Sequence, residues 1–168
     1  MTMDDTISAY VEVLGASPSV ERRIRAIWNE YQTVIPETDA AGVFVSQQVS
    51  DESQVTYGSL WFYYKDFVGE CRNFVFSDDF DCWAIPAVSY WQIRKESLDF
   101  NAEPMTNSKI SLDWSAGVTR GTMNAIGDNC SELLKFHRNF VIPHFTANTL
   151  ASQTEDVFSA PSHILDLD

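Results

Sequence analysis

The chain has 168 residues, of which 45% are hydrophobic, and 24 acidic against 11 basic side chains give it a net charge of −13. This length and apolar content predict one domain of ordinary size with a real core, and no run approaches the ~20 apolar residues of a membrane span. The acidic balance argues against binding to nucleic acid or to anionic membranes, because both need a basic surface.

Two amphipathic helices are predicted before the first strand. The first covers residues 6–14 and ends at Gly15, a residue that suits a helix C-terminus. The second begins at Ser17-Pro18 and runs to about Val34, because serine caps helices and proline is tolerated at their first position. We assign residues 1–40 to an N-terminal helical segment. No apolar signal core follows the acidic first residues, so we expect a cytoplasmic protein.

The densest basic cluster of the chain lies on the second helix, at Arg22, Arg23 and Arg25. These residues are candidates for contact with an anion or a protein partner. The alternative is a solvated helix face on which the arginines pair with Glu21 and Glu30, and this alternative is favoured.

Residues 41–126 are rich in strand-forming side chains and predict six or seven antiparallel strands. Short connections between successive strands imply a meander. Pro86 marks an edge or a bulge, and residues 98–107 read as a loop. The predicted strands are 43–49, 55–65, 67–76, 83–94, 110–114 and 118–126, with an acidic turn at 77–81.

Four consecutive aromatic residues, Trp61 to Tyr64, lie on the second predicted strand. Side chains alternate along a strand, so two rings must point to each face. If one face is core, Trp61 and Tyr63 are candidates for a partner-binding surface. The other interpretation covers the second face with the N-terminal helix, through Ile24, Ile27 and Trp28. We favour this interpretation because the apolar face of that helix needs an apolar surface to pack against.

An amphipathic helix is predicted over residues 131–142, ended by Pro143. Asn129 with Glu132 has the spacing of a capping box, which predicts Asn129 as the N-cap. A helix this short is unstable alone in water, so it must pack on the preceding sheet. Its apolar stripe is Leu133, Leu134, His137, Phe140 and Val141.

Residues 146–168 lack helical periodicity and are predicted to form an acidic, mobile tail. The segment Ile164-Leu165-Asp166-Leu167-Asp168 alternates apolar and acidic residues, a pattern that suits addition as a strand to an open sheet edge. Ile164, Leu165 and Leu167 are therefore candidate partner-binding residues. The tail or an open sheet edge is also a candidate route to a homodimer.

No pattern in the chain names a reaction, a metal or a cofactor. Asp78, Asp79 and Asp81 form an acidic cluster but lack the rest of a calcium-loop pattern. The cysteines are far apart in the sequence and form no close pair of the CxxC type. Buried thiols are therefore favoured over a zinc site or a disulfide framework. We predict a protein that is not an enzyme and needs no cofactor. The three cysteines are Cys71, Cys82 and Cys130.

The order of elements, with a last hairpin leading through residues 127–130 into a terminal helix, resembles the pleckstrin-homology and GRAM-like superfold. The resemblance covers residues 41–145 and implies an α+β domain: a bent antiparallel sheet or barrel closed by a C-terminal helix. Phosphoinositide binders of that family carry basic residues in the first hairpin, but here residues 43–64 contain none. Lipid binding is therefore not carried over. A rival arrangement, that of secretion-chaperone-like α+β proteins, requires a helix between Pro86 and Pro104.

The leading functional hypothesis is a non-enzymatic, adaptor-like domain whose partner is a protein. An alternative is an acidic inhibitor or immunity-type protein that blocks a basic toxin or mimics the charge of nucleic acid, which the charge of −13 motivates. Enzymatic activity has the least support, because no paired catalytic motif occurs.

Overall fold

The computed structural model describes residues 2–34, 41–49, 54–64, 67–84, 90–97 and 108–143. They form three helices and seven strands, so the predicted mainly antiparallel α+β class is confirmed. A C-terminal helix, ending in a π-helical turn at His137–Val141, is present as expected. The elements are α1 (Met3–Leu14), α2 (Pro18–Val34), β1 (Ala41–Val49), β2 (Val55–Tyr64), β3 (Phe67–Cys71), β4 (Phe80–Ala84), β5 (Tyr90–Ser97), β6 (Ser108–Ala116), β7 (Thr119–Ile126) and α3 (Asn129–Phe136).

The strands form two antiparallel meanders, β1-β2-β3-β4 and β5-β6-β7. The predicted meander is confirmed within each sheet, but the described strands do not close into a barrel. In a closed barrel, backbone hydrogen bonds would join the two sheets. Here side chains of β1 accept hydrogen bonds from the backbone of β7 instead. The backbone N–H of Asn124 donates to Ser46 Oγ and that of Ile126 to Gln47 Oε1, each over 2.9 Å. Both bridges lie where the β1–β2 register shifts, between Val45 and Gln47.

Helix α1 begins three residues earlier than predicted because Thr2 caps it. The Thr2 hydroxyl accepts a hydrogen bond from the Asp5 N–H, and the Asp5 carboxylate accepts one from the Thr2 N–H. Gly15 ends the helix with φ 65°, as its sequence position predicted. Helix α2 has the predicted bounds.

Helix α2 covers one face of the first sheet. The Phe62 ring lies 5.1 Å from the Trp28 ring and 5.4 Å from the Tyr31 ring, measured between centroids. Gly69 makes the close approach possible, because a Cβ at this position would lie 2.3 Å from Cε2 of Tyr31. The expected cover of the aromatic run by this helix is confirmed. The buried faces of α1 and α2 belong to the same core as both sheets.

The segment after β3 differs from the predicted long strand over 67–76. Asn73 adopts φ 55°, a left-handed conformation that turns the chain. Phe74 then folds back, so that its N–H donates to the Gly58 carbonyl over 3.3 Å and its ring is buried near Tyr57. Strand β4 begins at Phe80, inside the predicted acidic turn. The hydrophobic content of residues 72–76 predicted a strand. The segment forms a turn instead, because the buried Phe74 ring and its hydrogen bond to Gly58 hold it against β2.

Helix α3 is not the uniform helix predicted over 131–142. The π-helical turn inserts one residue per turn, so the buried positions step by five from Phe136 to Val141. Leu134, His137 and Phe140, which the predicted stripe placed in the core, are only partly buried.

The predicted N-cap is also wrong. Asp128 occupies the cap position without a side-chain hydrogen bond, and Asn129 is buried at 2% exposure. The Asn129 side chain instead bonds to the first sheet and to α1.

Two predictions about connections reach beyond the described residues. Pro86 and the loop at 98–107 lie outside them, as does the tail at 146–168. Residues 90–97 form strand β5, so the helix that a secretion-chaperone-like fold needs between Pro86 and Pro104 is not found there.

Candidate functional site

A groove of about 300 Å³ lies between strands β5 and β6 and helix α3. Its apolar floor is formed by Ile93, Ile110 and Leu134. We call this site the β5–α3 groove. Its lining residues are Ile93, Arg94, Lys95, Ser108, Ile110 and Leu134.

The groove runs beside a strand edge. Strand β5 pairs with β6 on one side, with Ile93 opposite Leu112 and Lys95 opposite Ile110. Within residues 2–34, 41–49, 54–64, 67–84, 90–97 and 108–143, no strand pairs with its other side. Such an edge presents backbone N–H and C=O groups that can pair with another extended segment.

The two faces of β5 differ in character because successive side chains point to opposite sides. Trp91 and Ile93 face inward and are half-buried, and the Trp91 ring lies 5.9 Å from that of Phe136 in α3. Arg94 faces outward, where its Nη2 lies 4.0 Å from a carboxylate oxygen of Asp113. An extended segment added at this edge would meet an apolar face on one side and a basic side chain on the other.

Two basic side chains flank the groove of this acidic protein. Lys95 is exposed and forms no ion pair with any residue of the described ranges. Arg94 makes only the long contact to Asp113 and is 59% exposed. Exposed pairs of this kind contribute little, so both cations remain available to an incoming carboxylate.

Helix α3 contributes Leu134 to the groove, and a buried polar network fixes the start of the helix. The Tyr10 hydroxyl donates to Asn129 Oδ1 over 2.7 Å and accepts from the Val45 N–H over 2.7 Å. Asn129 Nδ2 donates to the Val45 carbonyl and to Gln47 Oε1, each over 3.0 Å. The network ties α1, β1 and α3 together, so Leu134 is held at a fixed position over β5 and β6.

Trp61 and Tyr63, two of the candidate partner-binding residues, take part in packing within the protein. Trp61 is fully buried and packs edge-to-face on Trp114 of the other sheet, with ring centroids 5.5 Å apart. Tyr63 is partly buried, 4.6 Å from the Phe136 ring and 5.1 Å from that of Phe140. Trp61 therefore packs the first sheet on the second, and Tyr63 packs the first sheet on the C-terminal helical segment.

The three arginines of α2 have different environments. Arg23 Nε donates to the Phe74 carbonyl over 2.7 Å, and its guanidinium pairs with Asp78. Arg25 pairs with Asp4 and, as the favoured alternative predicted, with Glu21. Arg22 is exposed and has no ion pair among the described residues. The cluster mainly holds α2 against its neighbours, and it does not adjoin the β5–α3 groove. Ile164, Leu165 and Leu167 lie outside the described residues.

The reactive side chains do not converge. Cys71 and Cys130 are buried, and Cys130 Sγ donates to the carbonyls of Ser108 and Ala125. Burial raises the pKa of the Cys71 and Cys82 thiols to about 11, which favours the unreactive thiol form. Burial also lowers the pKa of His137. In the part of the chain that the structure describes, no three His, Cys, Asp or Glu side chains are grouped to hold a metal ion.

A second concavity of about 460 Å³ lies on the β6–β7 hairpin. It is lined by residues of both strands, among them Asp113, Arg120 and Thr122, and the Thr122 hydroxyl donates to Asp113 over 2.7 Å. Arg120 and Thr122 are exposed at the hairpin surface. The β5–α3 groove, which combines an apolar floor with a strand edge that no described strand pairs with, is the stronger candidate.

Sequence reasoning missed the groove because its lining residues come from three separate elements. One signal was present: Arg94 and Lys95 are adjacent bases at the end of the predicted strand 83–94, in a strongly acidic chain. The groove itself forms only where Leu134 packs over β5 and β6, a contact that the sequence does not predict.

Comparison of the chain with models of known protein families, with curated proteins and with solved structures found no match. None of the described helices is long and apolar enough to cross a bilayer.

Proposed function

We propose that this protein is a non-enzymatic interaction domain that binds an extended peptide segment of a protein partner along the outer edge of β5. The single observation that carries the proposal is the outer edge of β5, with which no described strand pairs, beside the apolar β5–α3 groove. Backbone pairing with β5 would supply affinity, and alternate side chains would enter the groove.

The charges at the groove define the partner's chemistry. Lys95 and Arg94 flank it, whereas the chain as a whole carries −13. A segment that alternates apolar and acidic residues therefore complements it, with apolar side chains over Ile93 and Leu134 and carboxylates on the opposite face of β5, where Arg94 lies. The acidic-inhibitor hypothesis asks instead for a basic partner, and it stays a prediction.

The same proposal includes the resemblance to the pleckstrin-homology and GRAM-like superfold. Its support is the order of elements: four strands, then three strands, then a helix packed on β6, β7 and β1. Use of such a domain as a protein-binding module agrees with the absence of basic residues from residues 43–64. Fold likeness by itself does not define a partner, so the groove carries the proposal.

The test is selection of binders from a displayed library of extended peptides, with affinities then measured by fluorescence polarisation. We expect the selected peptides to alternate apolar and acidic residues. Replacing every second peptide N–H by N-methyl should abolish binding, since it keeps the side chains but removes donors to the strand edge.

Matched variants of the protein locate the site. Lys95→Glu and Ile93→Thr should each weaken binding about tenfold, because one reverses a flanking charge and the other removes apolar floor while keeping a β-branched side chain. Arg22→Glu makes the same charge change on an exposed helix face remote from the groove and should leave affinity unchanged. Failure to select any binder, or equal weakening by Lys95→Glu and Arg22→Glu, would refute the proposal.

A further inference from the structure

We infer that residues 164–168 of this same chain occupy the β5–α3 groove and so compete with its partner. The inference rests on the proposed function and names the regulation of that site. Ile164-Leu165-Asp166-Leu167-Asp168 has the alternating apolar and acidic pattern that the groove selects.

The two faces of the segment match the two faces of β5. In an extended conformation Leu165 and Leu167 point to one side, and Ile164, Asp166 and Asp168 to the other. Paired with the outer edge of β5, the leucines continue the inward apolar face that holds Ile93. The aspartates then lie on the outward face.

The outward face supplies the complementary charge. Arg94 lies there with 59% of its side chain exposed, and its contact to Asp113 spans 4.0 Å. On this face, Asp166 or Asp168 would lie close enough to Arg94 to form a direct ion pair with it. Lys95 lies on the inward face with Ile93, so Arg94 is the cation that faces the aspartates. A one-residue slip would place carboxylates over the apolar floor, so the pattern also fixes the register.

The connection is long enough for binding within one chain. Leu134 lines the groove, and the helical segment continues nine residues to Pro143, which corresponds to about 13.5 Å. Residues 144–163 supply twenty further residues. Twenty residues can span at most roughly 66 Å when fully extended, several times the length of that helical segment. Because the segment and the groove belong to one chain, binding within the chain is favoured by a high effective concentration.

The experiment uses the full chain and a labelled synthetic peptide with the sequence of residues 162–168. Leu165→Ser/Leu167→Ser should free the groove, so the labelled peptide should bind this variant at least tenfold more tightly than it binds the unchanged chain. Val157→Ser/Phe158→Ser removes the other apolar cluster of the same region and is the matched control. It should bind the peptide as weakly as the unchanged chain does.

Three outcomes would overturn the inference. Equal affinity in all three chains would mean that the segment does not occupy the groove, although the proposed function would stand. No binding of the labelled peptide to any chain would have the same meaning if library peptides still bind in a Lys95-dependent way; if they do not, the proposed function fails as well. A dimer that dissociates in Leu165→Ser/Leu167→Ser, seen by analytical ultracentrifugation, would assign the segment to the groove of a second copy.

Discussion

Replacing Asn129 by alanine should destabilise the protein far more than the loss of a helix cap would. The side chain makes three buried hydrogen bonds, one accepted from Tyr10 and two donated to Val45 and Gln47. Truncation leaves the Tyr10 hydroxyl without its acceptor and the Val45 carbonyl without this donor. Gln47 keeps the bond from the Ile126 N–H. Each unsatisfied buried group costs about 1–3 kcal/mol, so we expect a loss of about 3 kcal/mol.

A serine substitution separates the two roles that Asn129 could have. Serine is a good N-cap, so Asn129→Ser would restore most of the stability if capping were the role. Its short side chain cannot reach Tyr10 and Val45 together, so the network predicts a loss within about 1 kcal/mol of that of Asn129→Ala. The assay is urea unfolding followed by tryptophan fluorescence, with the free energy taken from the linear extrapolation.

Two further variants complete the test. Asn139→Ala changes an exposed asparagine of the π-helical turn and should stay within about 0.5 kcal/mol of the unchanged protein. Tyr10→Phe combined with Asn129→Ala should show a coupling energy of about 1 kcal/mol or more, because the residues share one hydrogen bond. A loss below about 1 kcal/mol for Asn129→Ala, fully rescued by serine, would refute the buried network.

Three other variants or conditions probe the contacts around α2. Gly69→Ala should cost at least about 2 kcal/mol in chemical unfolding, since the new Cβ would lie 2.3 Å from the Tyr31 ring. Arg23→Ala should cost about 1 kcal/mol, because it removes the donor to the Phe74 carbonyl. Burial raises the pKa of the Cys71 thiol to about 11, above its unfolded value near 8.5. Its stabilising contribution is thus complete below about pH 8.5 and is lost as the pH rises through 11, which unfolding curves between pH 7 and 11 measure.

Each of these predictions has a matched control. Gly58→Ala adds the same methyl group 3.7 Å from the nearest atom, an ordinary contact, and should cost under about 1 kcal/mol. Arg22→Ala should be neutral because Arg22 is exposed. Cys71→Val should flatten the alkaline loss of stability. Equal costs at Gly69 and Gly58, or at Arg23 and Arg22, would contradict the packing of α2, and an unchanged pH profile in Cys71→Val would contradict the role of the thiol.

Local patterns were sufficient to predict most elements from the sequence. Ser17-Pro18 and the spacing of Ile24, Ile27 and Trp28 predict α2 because capping and amphipathicity are encoded within a few neighbouring residues. Period-two alternation similarly predicts β6, and the turn at Gly117 predicts its hairpin with β7. The same patterns gave the antiparallel order of strands, because short connections leave few alternatives.

Other features depend on residues that are distant in the chain. The spacing of Asn129 and Glu132 is that of a capping box, but the Asn129 side chain is buried and bonds to Tyr10 and Val45. These residues are 119 and 84 positions away in the sequence. Phe74 looks like part of a strand but anchors a turn, because Gly58 offers its carbonyl from the neighbouring strand.

The candidate site shows the same division. The sequence by itself determined the amphipathic helix that carries Leu134 and the alternating pattern of residues 164–168. It predicted one strand over residues 83–94, whereas the structure has the separate strands β4 (Phe80–Ala84) and β5 (Tyr90–Ser97) in different sheets. The packing of two sheets and a helix alone decided that no described strand pairs with the outer edge of β5 and that Leu134 lies beside it. Hydrophobic burial is not directional, so an apolar stripe specifies that a face is covered without specifying by what. The partner of each face is chosen by shape and by buried hydrogen bonds, which exist only once the chain has folded.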